Sequence, residues 1–507
     1  MNRVSVGLIL TIAFLTLLGG AAVSAFDFSE LENKVTERTL ENGLKIIVME
    51  RHEAPVATFV TWANVGSVDD PKGYTGLAHM FEHMAFKGTT TLGSKDIDEE
   101  LKLIAVEDSL FMELRAARNM GRLADSAKVQ ELTVAYEQAR EASYQLVAPN
   151  AFGEAISRAG GEGLNAGTLS DGTVYFISLP SNKVELWMAM ESERFLNPVL
   201  REMYKERDVV AEERRMRTES NPFGRVLEEF IALAYKAHPY GISGIGHMSD
   251  IQNYSRQEAR AYFEKYYGPS NLTVAIAGDV KPKDVFKLAE KYWGRIPYRP
   301  APQRITTVEP EQLGERREVM EDPAQPIYVV GWHIPESTHP DRPAIDAMLD
   351  HVAEGRTSLL YKNLIKEKKI AVQVASLPSM FVGEKYPTMA MFFAMPSQGH
   401  NNYECETEIL SEIEKMKTDL LTSDELEKIK ASAKAEFITG GFGGGLASNM
   451  GMAIQLAIYD VFWGDWREMF KELDRINAVT PEDIQRVAQQ YFTTKNRVVV
   501  MMNTVES

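Results

Sequence analysis

Hydrophobic positions along this chain fall into a few patterns, and each pattern predicts a different element. Val4 to Leu18 is an uncharged, largely apolar run with Arg3 in front of it. Leu77, Phe81 and Met84 recur at i, i+4 and i+7, the stripe of a helix with one face in a core. From Gly88 to Gly161 a charged, Ala- and Leu-rich stretch has no proline before Pro149. Within it Ile97, Leu101 and Ile104 are helically spaced, as are Leu132, Tyr136 and Ala139, and Gly121 interrupts midway. This predicts an antiparallel helical hairpin over about 94–148, inserted between other elements. The run Arg201 to Met216 predicts another helix, bounded by Pro198 and by Asn221-Pro222.

One pattern occurs twice. Ile251-Gln-Asn-Tyr-Ser255 leads through Tyr266-Tyr267 to the β-rich run Asn271–Gly278. Ile476-Asn-Ala-Val-Thr480 leads in the same spacing through Tyr491-Phe492 to Asn496–Asn503. Both copies read as an N-capped helix followed by a strand. The fold class expected is therefore α+β: two similar halves, each a mostly antiparallel sheet with packed helices, enclosing a substrate chamber. The Pro-rich stretch Ile296–Pro302 marks the junction. Expected boundaries are a leader at 1–25, a first half at 26–300, a linker at 301–315 and a second half at 316–507.

Composition narrows the class. A length of 507 residues allows two or three domains with sizeable cores, and 44% hydrophobic with 25% charged residues is ordinary for a globular chain. The net charge of −17 argues against nucleic acid or an anionic membrane as a partner. Cys405 is the only cysteine, so no intramolecular disulfide forms. Val23-Ser24-Ala25 after the apolar run has the small residues of a signal-peptidase site. Cleavage near Ala25 would give a periplasmic or secreted protein. A retained anchor is the alternative.

The chemistry is concentrated at His79-Met-Phe-Glu82-His83. On a helix, positions i and i+4 share a face, so His79 and His83 can hold one metal ion together. Glu82 lies on the same side, placed to take a proton from water at that ion. Histidines on helices are often surface or satisfied core groups, but this chain has only nine, and two sit here around a glutamate. Thr75 is a candidate N-cap and Gly88 a candidate C-cap. A catalytic zinc site needs a third protein ligand. Glu206 and Glu213 lie two turns apart on the predicted 201–216 helix, with Val209 and Val210 between them on an inward side. Either carboxylate could serve. The competing reading is a solvated charged helix.

These segments resemble the pitrilysin/insulinase family of zinc metallopeptidases, in which H-x-x-E-H is the inverted zinc motif. Glu206-Arg-Asp-Val-Val-Ala-Glu-Glu213 matches the family's third-ligand stretch. The resemblance implies that Glu213 completes the ligand set for one Zn2+ per chain and that Glu206 stands beside it. Thr39–Val48 resembles the family's opening hairpin. Asn165 and Ala166, in Leu164–Thr168, resemble its substrate-binding edge strand. The implied activity is an exported endopeptidase that cleaves peptides or unfolded segments, with Glu82 as catalytic base. A non-catalytic scaffold or assembly subunit is the alternative. Aligning Gly355 with Gly88 sets Asp346, Leu349 and Asp350 opposite His79, Glu82 and His83, so the second half has lost the chemistry. Active relatives also use an Arg and a Tyr from that half to hold substrate. Here Ile365 and Val372 stand at those positions, with Lys366 beside the first. The departure implies a metal-free paralogous partner in a hetero-oligomer, or a homodimer. The hairpin is expected to be dispensable for metal binding.

Overall fold

The computed structural model describes residues 28–505, apart from 378, 380, 381 and 442. The leader and its cleavage site lie outside the described residues. Strands β1 (Val35–Thr39), β2 (Lys45–Glu50), β3 (Val56–Ala63), β4 (Glu162–Thr168), β5 (Thr173–Pro180) and β6 (Leu272–Gly278) form one sheet in the order β1-β2-β6-β3-β5-β4. Strands β7 (Arg316–Asp322), β8 (Ile327–Ile334), β9 (Ala371–Leu377), β10 (Thr388–Pro396) and β11 (Arg497–Thr504) form a second, ordered β7-β11-β8-β10-β9. Without β1 the orders coincide. Each sheet has one parallel pair, β2–β6 and β7–β11, among antiparallel ones. The repeat seen in the sequence is thus a repeat of topology. Ser255 with Glu258 and Thr480 with Asp483 form capping boxes at the start of the two equivalent helices.

Strands β2, β3 and β6 are apolar on both faces because both faces are covered. Ile46, Val48, Phe59, Val274 and Ile276 face the first-half helices. Ile47, Met49, Val60, Trp62, Ala275 and Ala277 face helix Asn449–Trp463, which belongs to the second half. The exchange is reciprocal. Helix Pro222–Ala234, from the first half, lays Val226, Phe230 and Ile231 on Val329 of β8 and Val498 and Val500 of β11. Each large side chain buried this way is worth roughly 1.5–3 kcal/mol. Polar clasps fix the register. Lys45 pairs with Asp460, and Thr273 Oγ1 donates to Asp460 Oδ2 at 3.2 Å. Asp171 accepts from Tyr240 Oη at 2.5 Å and from Glu384 N at 2.6 Å.

The hairpin consists of helices Ile97–Asn119 and Ser126–Tyr144, joined through Gly121 and closed at the base by a Ser94–Val147 bridge. Ile104, Leu132 and Tyr136 are buried as the pattern implies, but Leu101 is exposed. The hairpin is not peripheral. Arg201, almost fully buried, donates to Glu100 at 2.8 Å and to the carbonyls of Lys87, Thr89 and Leu92 at 2.7–2.9 Å. Arg256 pairs with buried Glu107 at 3.0 Å, and Tyr204 Oη donates to Asp108 at 2.8 Å. The Phe111 and Tyr204 rings lie 4.4 Å apart. These contacts argue against the expectation that the hairpin is dispensable for metal binding. It supplies the counter-charges for arginines under the helix that carries Glu206 and Glu213.

Candidate metal centre

The H-x-x-E-H motif occupies helix Leu77–Met84. Leu77, Phe81 and Met84 enter the core, where Phe81 stacks on Tyr262 and Phe263. Thr75 is not the N-cap. The helix starts after Gly76, whose φ is +89°, and the Asp70 carboxylate accepts from Gly76 N at 2.7 Å and Ala78 N at 3.0 Å. Thr75 instead donates to Asp250 and accepts from His247 N at 2.8 Å. A Cβ on Gly76 would come within 2.6 Å of the Ile245 carbonyl, so glycine is required both for the left-handed turn and for this approach. The helix ends at Ala85, and Gly88, with φ +86°, lies beyond it.

Glu206 and Glu213 come from helix Met203–Arg214. Val210 is buried between them, whereas Val209 is exposed and does not mark the inward face. The other side of this helix carries Tyr204 and Arg207, packed against Phe111 of the hairpin. The helix is therefore held from both flanks. Its neighbour Arg214 donates to Glu228 at 2.9 Å and to the Gly246 carbonyl at 2.6 Å. That second bond ties it to the loop that seats Gly76.

The two helices bring His79, His83 and Glu213 together, one ligand atom of each lying within 4.8 Å of the others. Glu213 Oε2 is 3.3 Å from His83 Nε2 and 3.6 Å from His79 Nε2. Ligand atoms about 2.0–2.1 Å from a tetrahedral ion lie about 3.3–3.4 Å apart. The two distances from Glu213 to the histidines are close to that separation, and a two-imidazole, one-carboxylate set can hold zinc with a coordination position to spare. Glu206 is adjacent and not in the trio. Its Oε2 is 3.5 Å from His83 Nδ1, and its Oε1 is 2.6 Å from Lys87 Nζ. Glu82 is half-buried and has no hydrogen-bond or ion-pair partner among the described residues.

The electrostatics follow from this packing in the metal-free protein. Burial and the neighbouring His83 hold His79 below the usual imidazole range. Burial also works against charge on His83, but Glu206 and Glu213 outweigh it and raise its pKa to about 9. Burial would raise Glu206, yet His83 and Lys87 bring it below its ordinary value. Glu213 is lowered by His83, against some burial, and further by His79 and Arg217.

Asn165 and Ala166 lie on β4, the outermost strand of the first sheet, next to the motif helix. Ala166 N donates to Asn165 Oδ1 at 2.9 Å and not to β5, so this donor faces the open edge. Three groups at the site escaped the sequence reading. Lys87 could have been found, since it follows His83 by one helical turn. Arg217 follows Glu213 by the same interval and could have been found likewise, whereas Asp70 had no signal, because nothing in the local pattern shows what it touches.

Fold and site together define a framework of two similar halves with a candidate metal centre in the first. The insulinase (peptidase family M16) model matches residues 45–113 and 143–246, and the M16 inactive-domain model matches 253–433. The chain belongs to this family. It is 28% identical over 498 residues to the zinc protease PqqE of Helicobacter pylori, covering 95% of each chain. It superposes on the crystal structure of a protease from Helicobacter pylori with a TM-score of 0.76 at 27% identity, covering 93% of this chain and 99% of that one. A protein described as a peptidase M16 inactive domain from Pseudomonas fluorescens shares the fold, with a TM-score of 0.72 at 16% identity over 93% of this chain and 98% of the other. The first family match skips 114–142, the distal part of the hairpin, and includes its base.

Proposed function

We propose that this chain is a zinc-dependent endopeptidase that cleaves peptides or unfolded protein segments outside the cytoplasm. The observation that carries this reading is the His79, His83 and Glu213 trio, with Glu213 3.6 Å and 3.3 Å from the two histidines, beside an unpaired Glu82. Zinc held there would polarise water and the scissile carbonyl. Glu82 takes the proton and returns it to the leaving amine. His79, His83 and Glu213 are the ligands, and Glu206 orients His83 through its other ring nitrogen. Substrate adds as a strand to the open edge of β4 at Asn165 and Ala166, where main-chain bonds give affinity with little side-chain preference. The apolar run and small-residue site at the N-terminus support export, with cleavage near Ala25. The departure at Ile365 and Val372 supports work alongside a metal-free paralogue. Ile365 packs on the second core and Val372 is an exposed residue of β9, so neither offers a polar group to substrate. The test is zinc content by mass spectrometry together with cleavage of an unstructured peptide. Stoichiometric zinc with no cleavage, alone or with the paralogue, would overturn the enzymatic reading.

A further inference from the structure

Two cations stand next to the ligand trio, and they differ in what they have left to give. Lys87 lies between Glu206 at 2.6 Å and Glu202 at 3.5 Å, so its charge is spent inward. Arg217 sits on a π-helical turn, Arg215–Glu219, directly after the ligand helix. Such turns recur at functional sites. Its Nη2 lies 2.7 Å from Glu213 Oε1, and the side chain is 67% exposed. Beyond this ion pair, Arg217 has no hydrogen-bond or ion-pair partner among the described residues. A guanidinium carries five N–H donors, so most of its donors face solvent beside a metal ligand. Its positive charge also reaches His79. Glu213 thus has one oxygen held by Arg217 and the other, Oε2, turned toward both histidines.

Hydrolysis of a peptide bond builds negative charge on the carbonyl oxygen. Donors fixed in advance toward that charge are usually the largest single contribution to rate. We propose that Arg217 is this donor: one N–H restricts Glu213 to a single free oxygen, and others receive the scissile carbonyl oxygen as it becomes negative. No proton or electron is added to the reaction. The proton that Glu82 takes from water goes to the leaving amine, and Arg217 keeps its own. The inference rests on the peptidase reading above and deepens it by naming the group that contacts the reacting carbonyl.

The experiment compares wild type, Arg217→Gln and Arg217→Lys for zinc content, for kcat and KM on an unstructured fluorogenic peptide, and for affinity toward a phosphinic peptide that mimics the tetrahedral state. Arg217→Gln should keep its zinc and hold KM within about threefold, while kcat falls roughly 10²–10³-fold. Affinity for the phosphinic peptide should fall more than affinity for substrate. Lysine should restore only part of the rate, because a point charge does not reproduce the planar fork. If Arg217→Gln loses zinc and recovers full kcat in excess zinc, Arg217 is only a brace for Glu213 and the proposal is wrong. Unchanged kcat in a zinc-loaded variant also overturns it. A zinc-loaded wild type that cleaves no unstructured peptide would sink the peptidase reading, and this inference with it. An active wild type with a normal Arg217→Gln sinks this inference alone.

Discussion

His83 Nε2 and Glu213 Oε2 lie 3.3 Å apart, although the whole helical hairpin separates them along the chain. The contact depends on two helices being held rigidly, each by buried polar groups outside the trio. Changes to the trio and changes to its supports should therefore have separable effects.

Glu82→Gln should keep zinc near wild-type occupancy and lose roughly 10²–10⁴-fold in kcat, because the amide cannot accept a proton. His79→Ala, His83→Ala and Glu213→Ala should each lose the metal. Zinc analysis beside peptide cleavage separates the two classes. Full zinc in Glu213→Ala would disprove its role as a ligand.

Glu206→Gln should weaken zinc binding by roughly 10–100-fold without abolishing it, since Glu206 touches the ring of His83 and not the trio's centre. Competition with a calibrated chelator measures the change. An unaltered affinity would exclude Glu206 from the site.

Zinc affinity should rise with pH up to about 9 and then level off. The metal needs a neutral imidazole, and Glu206 and Glu213 hold His83 protonated up to about that pH in the metal-free protein. The same raised pKa has a stability consequence. Protonated His83 contributes stability to the metal-free protein that is fully present below the unfolded-state value near 6.5 and is lost as pH rises through about 9. Zinc titrations and metal-free melting curves between pH 6 and 10 test both statements. A flat zinc affinity across that range would contradict them.

Deleting the hairpin should cost folding and zinc together, the reverse of the sequence expectation. Glu100→Ala, which strands the buried Arg201 guanidinium, should destabilise by about 3–5 kcal/mol. A denaturant melt of that variant is the direct check. Wild-type stability would mean that the hairpin base does not support the ligand helix.

Ala166→Pro should fold and bind zinc normally, because the N–H it removes faces the open edge of β4. KM for extended peptides should rise. If KM does not change, substrate does not add to this edge.

Mixing should raise activity if a metal-free paralogue completes the site. Cleavage of an unstructured peptide is compared for the chain alone and with the candidate partner, alongside co-elution. Full activity alone, no gain on mixing and no complex would rule that partnership out.

The sequence by itself determined the motif helix and the repeat. His79, Glu82 and His83 lie within one helical turn of each other, so their shared face follows from helix geometry alone. The duplicated capping boxes and β-rich runs reveal two copies for the same reason, since local pattern is what a sequence records. Tertiary structure decided what lies across space. Whether Glu206 or Glu213 joins the histidines depends on how two helices cross, and family likeness settled it in the sequence where spacing could not. The exchange of helices Pro222–Ala234 and Asn449–Trp463 between the two sheets leaves only apolar stripes in the chain, and these do not say which sheet they cover. Leu101 and Val209 fit helical stripes yet are exposed, because periodicity locates a face only to within a residue on either side. The roles of Asp70 and Arg201 arise from side chains meeting atoms beyond their own helical turn. Such contacts are set by packing, and no local pattern encodes them.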